Sequence, residues 1–198
     1  IYTSEIVGSV RMCIRDRITT EGLEKTFATN QMNYFVLSTE LLEIISESND
    51  GRIVNVASNA HIGAEVDYEN INSEKSFSAW TSYCVSKLMN IMFTYQLSSI
   101  QDKVSVNVLH PGFVDTNIAG NEGNFIKYIV KLGAKMFART VDSGADSSIY
   151  LSTSDEVQNV SGKYFFKCKE IKSSRASYNK EDWQKVWDLC NEYKIKLI

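Results

Sequence analysis

Apolar positions change their period along this chain, and the changes mark alternating helices and strands. Across residues 19–47, Leu23, Phe27, Asn30, Tyr34, Leu37 and Leu41 recur at i, i+4, i+7, i+11, i+14 and i+18, which predicts one long amphipathic helix. Asn30 is the odd member, a polar amide on an apolar face. Asn49-Asp50-Gly51 ends that helix, because glycine tolerates the left-handed conformation of helix ends and Asp-Gly is a turn signal. Residues 52–57 read as a strand. Residues 59–80 are polar and irregular, long for a connection, and point to a working loop. Residues 81–99 return to helix, apolar on more than one face through Val85, Leu88, Met89, Ile91, Met92 and Tyr95. Residues 104–109 form a second strand, halted by Pro111-Gly112. An amphipathic helix is expected over 124–138, with Phe125, Ile129, Leu132 and Met136 opposite Lys127, Lys131 and Lys135. A short helix over 141–152, a strand over 162–166 and a helix over 180–193 complete the pattern, with Asn179 as N-cap of the last.

Strand, helix and strand in succession make a βαβ crossover, so the two strands should be parallel and the connection right-handed. The fold class is α/β with a parallel sheet. The 198 residues are 43% apolar and 23% charged, enough for one domain with a real core. With 11% aromatic residues and a formal net charge of −3, the chain is not of the disordered type. A slightly acidic chain also lacks the basic face that phosphate neutralisation requires, which sets nucleic acid aside as the main ligand. No run approaches the roughly eighteen apolar residues of a membrane span. Cys13, Cys84, Cys168 and Cys190 are scattered without metal-ligand spacing, so free thiols and no metal site are expected. Residues 1–18 have no sustained period and read as a loosely ordered lead-in to a single domain over 19–198; Glu5 and Asp16 count against a transit peptide.

In an open parallel sheet, ligands bind beyond the carboxyl ends of the strands. Ser58 follows the first strand, Pro111-Gly112 follow the second, and Tyr83 and Lys87 begin the helix between them. Connectivity alone brings these residues to one edge. Tyr83 and Lys87 stand at i and i+4 and share a helix face. An ammonium beside a phenol favours the phenolate, and a phenol so tuned can exchange a proton with an alcohol or a carbonyl. Ser58 could hydrogen-bond the same oxygen, and Asn30 could hold a water that relays the proton outward. Singly, each feature has a plainer account: a surface pair, turn residues, a satisfied core amide. His61 and His110 read as structural rather than catalytic. The combination, in this order and at these element ends, is far more specific.

With those residues in place the sequence resembles the short-chain dehydrogenase/reductase family over residues 20–198. The matching segments are TNQMNYF (29–35), RIVNVASNAH (52–61), YCVSKLMN (83–90) and VNVLHPGFVDT (106–116). INSEKSF (71–77), SGKYFFKCKE (161–170) and the Trp187 helix are similar to the retinol dehydrogenase-like group. The resemblance implies a Rossmann-like doubly wound parallel sheet and hydride transfer between NADP or NAD and a small-molecule alcohol or carbonyl, with lipophilic substrates of retinoid, steroid or aldehyde type favoured. It implies Tyr83 as general acid/base and Lys87 as the residue that lowers its pKa and holds the nicotinamide ribose. Ser58 would orient the substrate oxygen and Asn30 support the proton relay. Pro111, Gly112, Val114 and Thr116 would line the nicotinamide and its phosphate.

The departures are as informative. The family's glycine motif, T-G-x-x-x-G-x-G, has no counterpart among the ten glycines, so the backbone cradle for the pyrophosphate is missing. At about thirty residues per βαβ unit, roughly a hundred residues of sheet and helix are expected to be missing. The sequence therefore reads as the C-terminal two-thirds of a dehydrogenase whose first β-α units are absent, leaving the 52–57 strand without one neighbour. Cofactor binding by this chain alone should be weak or nil. The rival is a non-catalytic binding or dimerisation module on the same fold. A sugar-nucleotide epimerase with the same Tyr/Lys pair fits the C-terminal text less well. In similar proteins the 19–47 and 81–99 helices pair with their copies, which makes a homodimer an expectation; the alternative is burial of both within one subunit. The lysines at 127, 131 and 135 could touch an anionic membrane peripherally, although an ordinary solvated face is the simpler account. The compartment, cytoplasmic or membrane-associated, stays open.

Overall fold

A computed structural model describes residues 18–112 and 141–197. Its centre is a four-stranded sheet in the order β1-β2-β3-β4, with β1 at Arg52–Val56, β2 at Ser105–Leu109, β3 at Tyr164–Phe166 and β4 at Lys169–Ile171. The first three strands run parallel: Ile53 pairs with Val106, Val56 with Leu109 and Val108 with Tyr164. The fourth is antiparallel to β3, so the sheet is mixed rather than wholly parallel. The turn between β3 and β4 holds Lys167 at φ 51° and Cys168 at φ 59°. Two successive positive φ values match the right-handed strand twist and close a two-residue hairpin. Lys-Cys is not a sequence that announces such a turn, so β4 has no signal in the pattern after 162–166.

Strand alternation sends successive side chains to opposite faces. Ile53 and Val106 join one core cluster with Leu88, Met89, Met92 and Phe93, whereas Val54, Val56 and Leu109 meet Leu151 and Val157 on the other face. Those partners come from α4 (Ala79–Ile100) on the first face and from α5 (Val141–Thr153) and the 3-10 turn Asp155–Val157 on the second. Helices on both faces make the sheet doubly wound, as expected. Arg52 fastens α5 to β1: its guanidinium is paired with the Asp50 carboxylate and donates to the carbonyls of Leu151 and Ser154. The last helix, α6 (Lys180–Leu197), packs on α4, and Asn179 caps it by accepting from the Glu181 N–H at 3.1 Å.

The expected helix over 19–47 is broken. It consists of α1 (Lys25–Phe27), a π turn (Ala28–Met32), α2 (Asn33–Glu40) and α3 (Leu42–Ser46). A π turn carries one more residue per turn than an α-helix. The apolar face accordingly moves by one position: after Phe27 the buried residues are Gln31, Met32, Phe35 and Ser38, while Leu37 is 61% exposed and Leu41 44% exposed. The irregular 59–80 connection is anchored to the rest of the fold. Ala64, Val66, Tyr68 and Ile71 pack on the core, Asn72 accepts from the Glu24 N–H and donates to the Tyr193 hydroxyl, and Tyr68 donates to Asp182. Gly51 differs from expectation as well. It lies outside the left-handed region, and its lack of a Cβ instead lets the chain pass the Ile45 carbonyl oxygen.

Between Ser86 and Leu97 every residue of α4 is buried within this one subunit, which is the alternative to the dimer expectation for that helix. Leu37, Leu41 and Ile44 keep exposed apolar surface. Cys84, Cys168 and Cys190 are free thiols, and no group of metal-ligating side chains occurs among the described residues. No described helix is long and apolar enough to cross a membrane. All of the lead-in but Ile18, and the expected 124–138 helix with its lysines, lie outside the described residues.

Candidate active site

Carbonyls of β1 alternate in direction. Gly51 accepts from the Ser105 N–H and Ala57 donates to the Leu109 carbonyl, so the odd-numbered residues bond to β2 and Val56 points its carbonyl away from it. Among the described residues no strand pairs there. The Val56 oxygen instead accepts from Lys87 Nζ at 3.0 Å and from the Tyr34 hydroxyl at 3.4 Å. That carbonyl lies two residues before Ser58, at the carboxyl end of the sheet.

Lys87 is 9% exposed and Tyr83 half-buried, and Lys87 Nζ stands 5.8 Å from the centroid of the Tyr83 ring. It stands the same distance from the Tyr34 ring. Burial holds the Lys87 ammonium down to about 8, because the charged form gives up hydration. Tyr34 is pushed up, first by burial, with the Val56 hydrogen bond opposing and the nearby Tyr83 adding to it. Tyr83 also packs against Trp80, with ring centroids 6.1 Å apart. Among the described residues no hydrogen bond joins the Tyr83 hydroxyl to Lys87 or Ser58.

Ser58 caps a short 3-10 turn, Asn59–His61; its Oγ accepts from the Ala60 N–H at 3.2 Å, leaving the hydroxyl hydrogen for another acceptor. His61 is wholly buried behind it. The Ser174 N–H donates to His61 Nε2 at 3.0 Å, which fixes that nitrogen as acceptor and makes Nδ1 the donor to the Ser58 carbonyl at 2.7 Å. Both ring nitrogens are occupied by main chain, so His61 is structural, as expected.

Asn30 lies in the π turn and is half-buried. Its Nδ2 donates to Ser86 Oγ at 3.1 Å, so the carboxamide is tied to α4 rather than to Lys87. The link to Lys87 runs through its main chain: Asn90 Nδ2 donates to the Asn30 carbonyl at 2.7 Å, and Lys87 Nζ approaches Asn90 Oδ1 at 3.5 Å. Gly112 takes φ +81° directly after Pro111, and its N–H donates to His110 Nδ1. Val114 and Thr116 lie outside the described residues. Lys87 thus joins Tyr83, Asn30 (through Asn90) and the Val56 carbonyl that precedes Ser58, while Pro111 and Gly112 follow the neighbouring parallel strand β2. Tyr34, Ser86 and Asn90 belong to the same cluster and were not singled out by the sequence. The one available signal was spacing, since Ser86 and Asn90 fall at i+3 from Tyr83 and Lys87 respectively. A polar cleft lined by Asp50, Gly51, Gln101 and Ser105 lies at the amino ends of β1 and β2, away from these groups.

The short chain dehydrogenase family profile matches residues 7–126, more than half of the chain. The chain belongs to that family. It is 36% identical over 184 residues to human retinol dehydrogenase 14, covering 91% of this chain and 54% of that protein. It is 32% identical over 184 residues to human polyprenol dehydrogenase, covering 89% and 56%. The chain therefore spans about half the length of these curated relatives. Among solved structures, an uncharacterized protein from Mycobacterium Paratuberculosis superposes with a TM-score of 0.65 at 23% identity over 88% of this chain and 60% of that one. A gluconate 5-dehydrogenase from Burkholderia cenocepacia, solved with NADP and tartrate, superposes with a TM-score of 0.52 at 18% identity over 71% and 52%. These likenesses establish the Rossmann-like fold.

Proposed function

We propose that this chain carries the proton-transfer half of an NAD(P)-dependent oxidoreductase that interconverts an alcohol and a carbonyl. The observation that carries the reading is the placement of the Lys87 ammonium, 5.8 Å from the Tyr83 ring and bonded to the Val56 carbonyl at the carboxyl end of β1, two residues before Ser58. Tyr83 gives its hydroxyl proton to the substrate oxygen in reduction and takes it back in oxidation. Lys87, buried and cationic, keeps a positive charge 5.8 Å from that ring between those events. The Ser58 hydroxyl hydrogen points the same oxygen at Tyr83.

The nicotinamide cofactor, NADP or NAD, supplies or accepts the hydride when bound. An ammonium has three N–H donors. Val56 and Asn90 engage two on Lys87, leaving one for a ribose hydroxyl. Gly112, with positive φ and no side chain, lets a ring approach the end of β2. These residues suit the nicotinamide end. The backbone cradle for the pyrophosphate has no counterpart in this sequence, since none of the ten glycines stands in the phosphate-binding spacing. Titration calorimetry of this 198-residue chain should show weak or no dinucleotide binding; tight binding would refute that.

Support for a lipophilic substrate comes from the retinol and polyprenol dehydrogenases among the relatives and from Trp80, 53% exposed beside Tyr83. Pairing of two copies would use Leu37, Leu41 and Ile44 rather than the enclosed α4. The test is Tyr83→Phe in the longer protein that contains this chain. Turnover should fall at least about a hundredfold, the low end for a positioned acid/base, with the fold retained. Near-normal turnover would favour the non-catalytic module.

A further inference from the structure

We propose that Asn90 is the positioning residue of this site, holding Lys87 and the π turn of Asn30 in one register. This rests on the reading that Lys87 serves the reacting edge. Asn90 is 0% exposed, and its side chain is fully engaged. Nδ2 donates to the Asn30 carbonyl at 2.7 Å and to Gln31 Oε1 at 2.9 Å; Oδ1 faces Lys87 Nζ at 3.5 Å. Two of the three partners are consecutive residues of the π turn. Asn90 thus ties two neighbouring residues of that irregular turn to α4, one through its carbonyl and one through its side chain.

The network is anchored at both ends. The Asn90 carbonyl accepts from Thr94 Oγ1, which accepts from Asn55 Nδ2 of β1, each at 2.8 Å. Gln31, also 0% exposed, donates to Cys190 Sγ of α6 at 3.5 Å. A buried polar network whose members are all satisfied fixes one arrangement, and a half-satisfied one is costly. The groups facing the Lys87 ammonium are the Tyr83 ring on its own helix, Tyr34 from α2, the Val56 carbonyl from β1 and Asn90 Oδ1. No carboxylate pairs with it among the described residues. The direction of the ammonium is therefore set by one main-chain carbonyl and one amide oxygen, and Asn90 is the part of that pair a substitution can change.

The test follows the Lys87 titration, which needs no turnover and so can fail independently of Tyr83→Phe. In the unaltered chain, the Asn90 carboxamide resonances and the Lys87 Cε resonance should move with one shared midpoint in an NMR pH series. Asn90→Leu removes the acceptor and should lower that midpoint by at least about half a pH unit; Asn90→Asp adds a negative charge and should raise it by a similar amount. A purely structural amide would alter stability and leave the midpoint in place. Asn90 resonances that stay flat while Lys87 titrates overturn the proposal, whether or not the variants fold. Folded Leu and Asp variants with an unmoved Lys87 midpoint overturn it as well.

Discussion

The helix α4 and the stretch from Lys25 to Ser46 share a core, and each presents apolar side chains at helical spacing. Yet α4 is unbroken over Ala79–Ile100, while the other is divided into α1, a π turn, α2 and α3. The difference lies in what each meets. From Ser86 to Leu97 α4 is enclosed on every side, so any helical register buries apolar surface and none is penalised. The other stretch has one buried side, and a donor from α4, the Asn90 amide, enters its ladder. An amphipathic pattern thus reports that a helix packs, while a neighbour's polar group can decide which residues it packs with.

The strongest way to break this comparison is at Phe35 and Leu37. The unshifted stripe buries Leu37, whereas the π turn buries Phe35, which is 0% exposed and meets Phe93 at 5.4 Å and Trp187 at 5.1 Å between ring centroids. Phe35→Ala should cost about 3–5 kcal/mol in urea unfolding. Leu37→Ala should stay within about 0.5 kcal/mol. Equal losses, or the reverse order, would restore the unshifted helix.

The next test addresses the polar chain inside α4. Thr94 Oγ1 is the described partner of Asn55 Nδ2, deep between helix and sheet. Thr94→Val keeps the shape and strands that donor, at about 1–3 kcal/mol. Asn55→Leu combined with Thr94→Val should cost less than the two single changes added together, because no orphan remains. Strict additivity in the cycle would show that the bond does not couple them.

Much of this arrangement was legible beforehand because it follows from connectivity. β1, β2, α4, α5 and α6 appear near their expected positions, and Ser58 and Pro111-Gly112 follow neighbouring parallel strands because strand ends in a βαβ unit must. The illegible parts depend on contacts distant in sequence. Asn90 meets Asn30 across sixty positions, and no local period encodes that. The anchors of the 59–80 connection, Asn72 to Tyr193 and Tyr68 to Asp182, are not legible in its polar pattern because their partners sit in α6. The Lys167-Cys168 turn broke the usual residue preference and hid β4.

His61 extends the comparison to the loop that encloses α4. Burial pulls its pKa below the ordinary 6.5, with the Ser58 carbonyl opposing. The unfolded chain therefore binds the proton more readily, and stability rises with pH through this group. The contribution is present above about 6.5 and is lost as pH falls below it. Protonation would place a hydrogen on Nε2, where the Ser174 N–H already donates. Unfolding midpoints between about pH 5 and 7 should fall towards acid, and His61→Gln should flatten that slope. An unchanged slope would mean that the ring titrates freely and the loop does not hold it.

The smallest effect concerns how α4 begins. Ser78 is exposed, in extended conformation, and its Oγ accepts from the Thr81 N–H at 3.3 Å. Glu24 has the same role for α1, accepting from the Phe27 N–H at 2.9 Å, but it is only 2% exposed. Ser78→Ala should cost about 0.5–1 kcal/mol, near the low end for a cap whose freed N–H can turn to water. Glu24→Ala should cost more, because the Phe27 N–H it frees is buried and has no water to replace the carboxylate. Since α4 is held on all sides and α1 is a single turn, the same type of cap carries a larger share of the shorter helix. If Ser78→Ala proves the costlier of the two, α4 depends on its first turn and not on its enclosure.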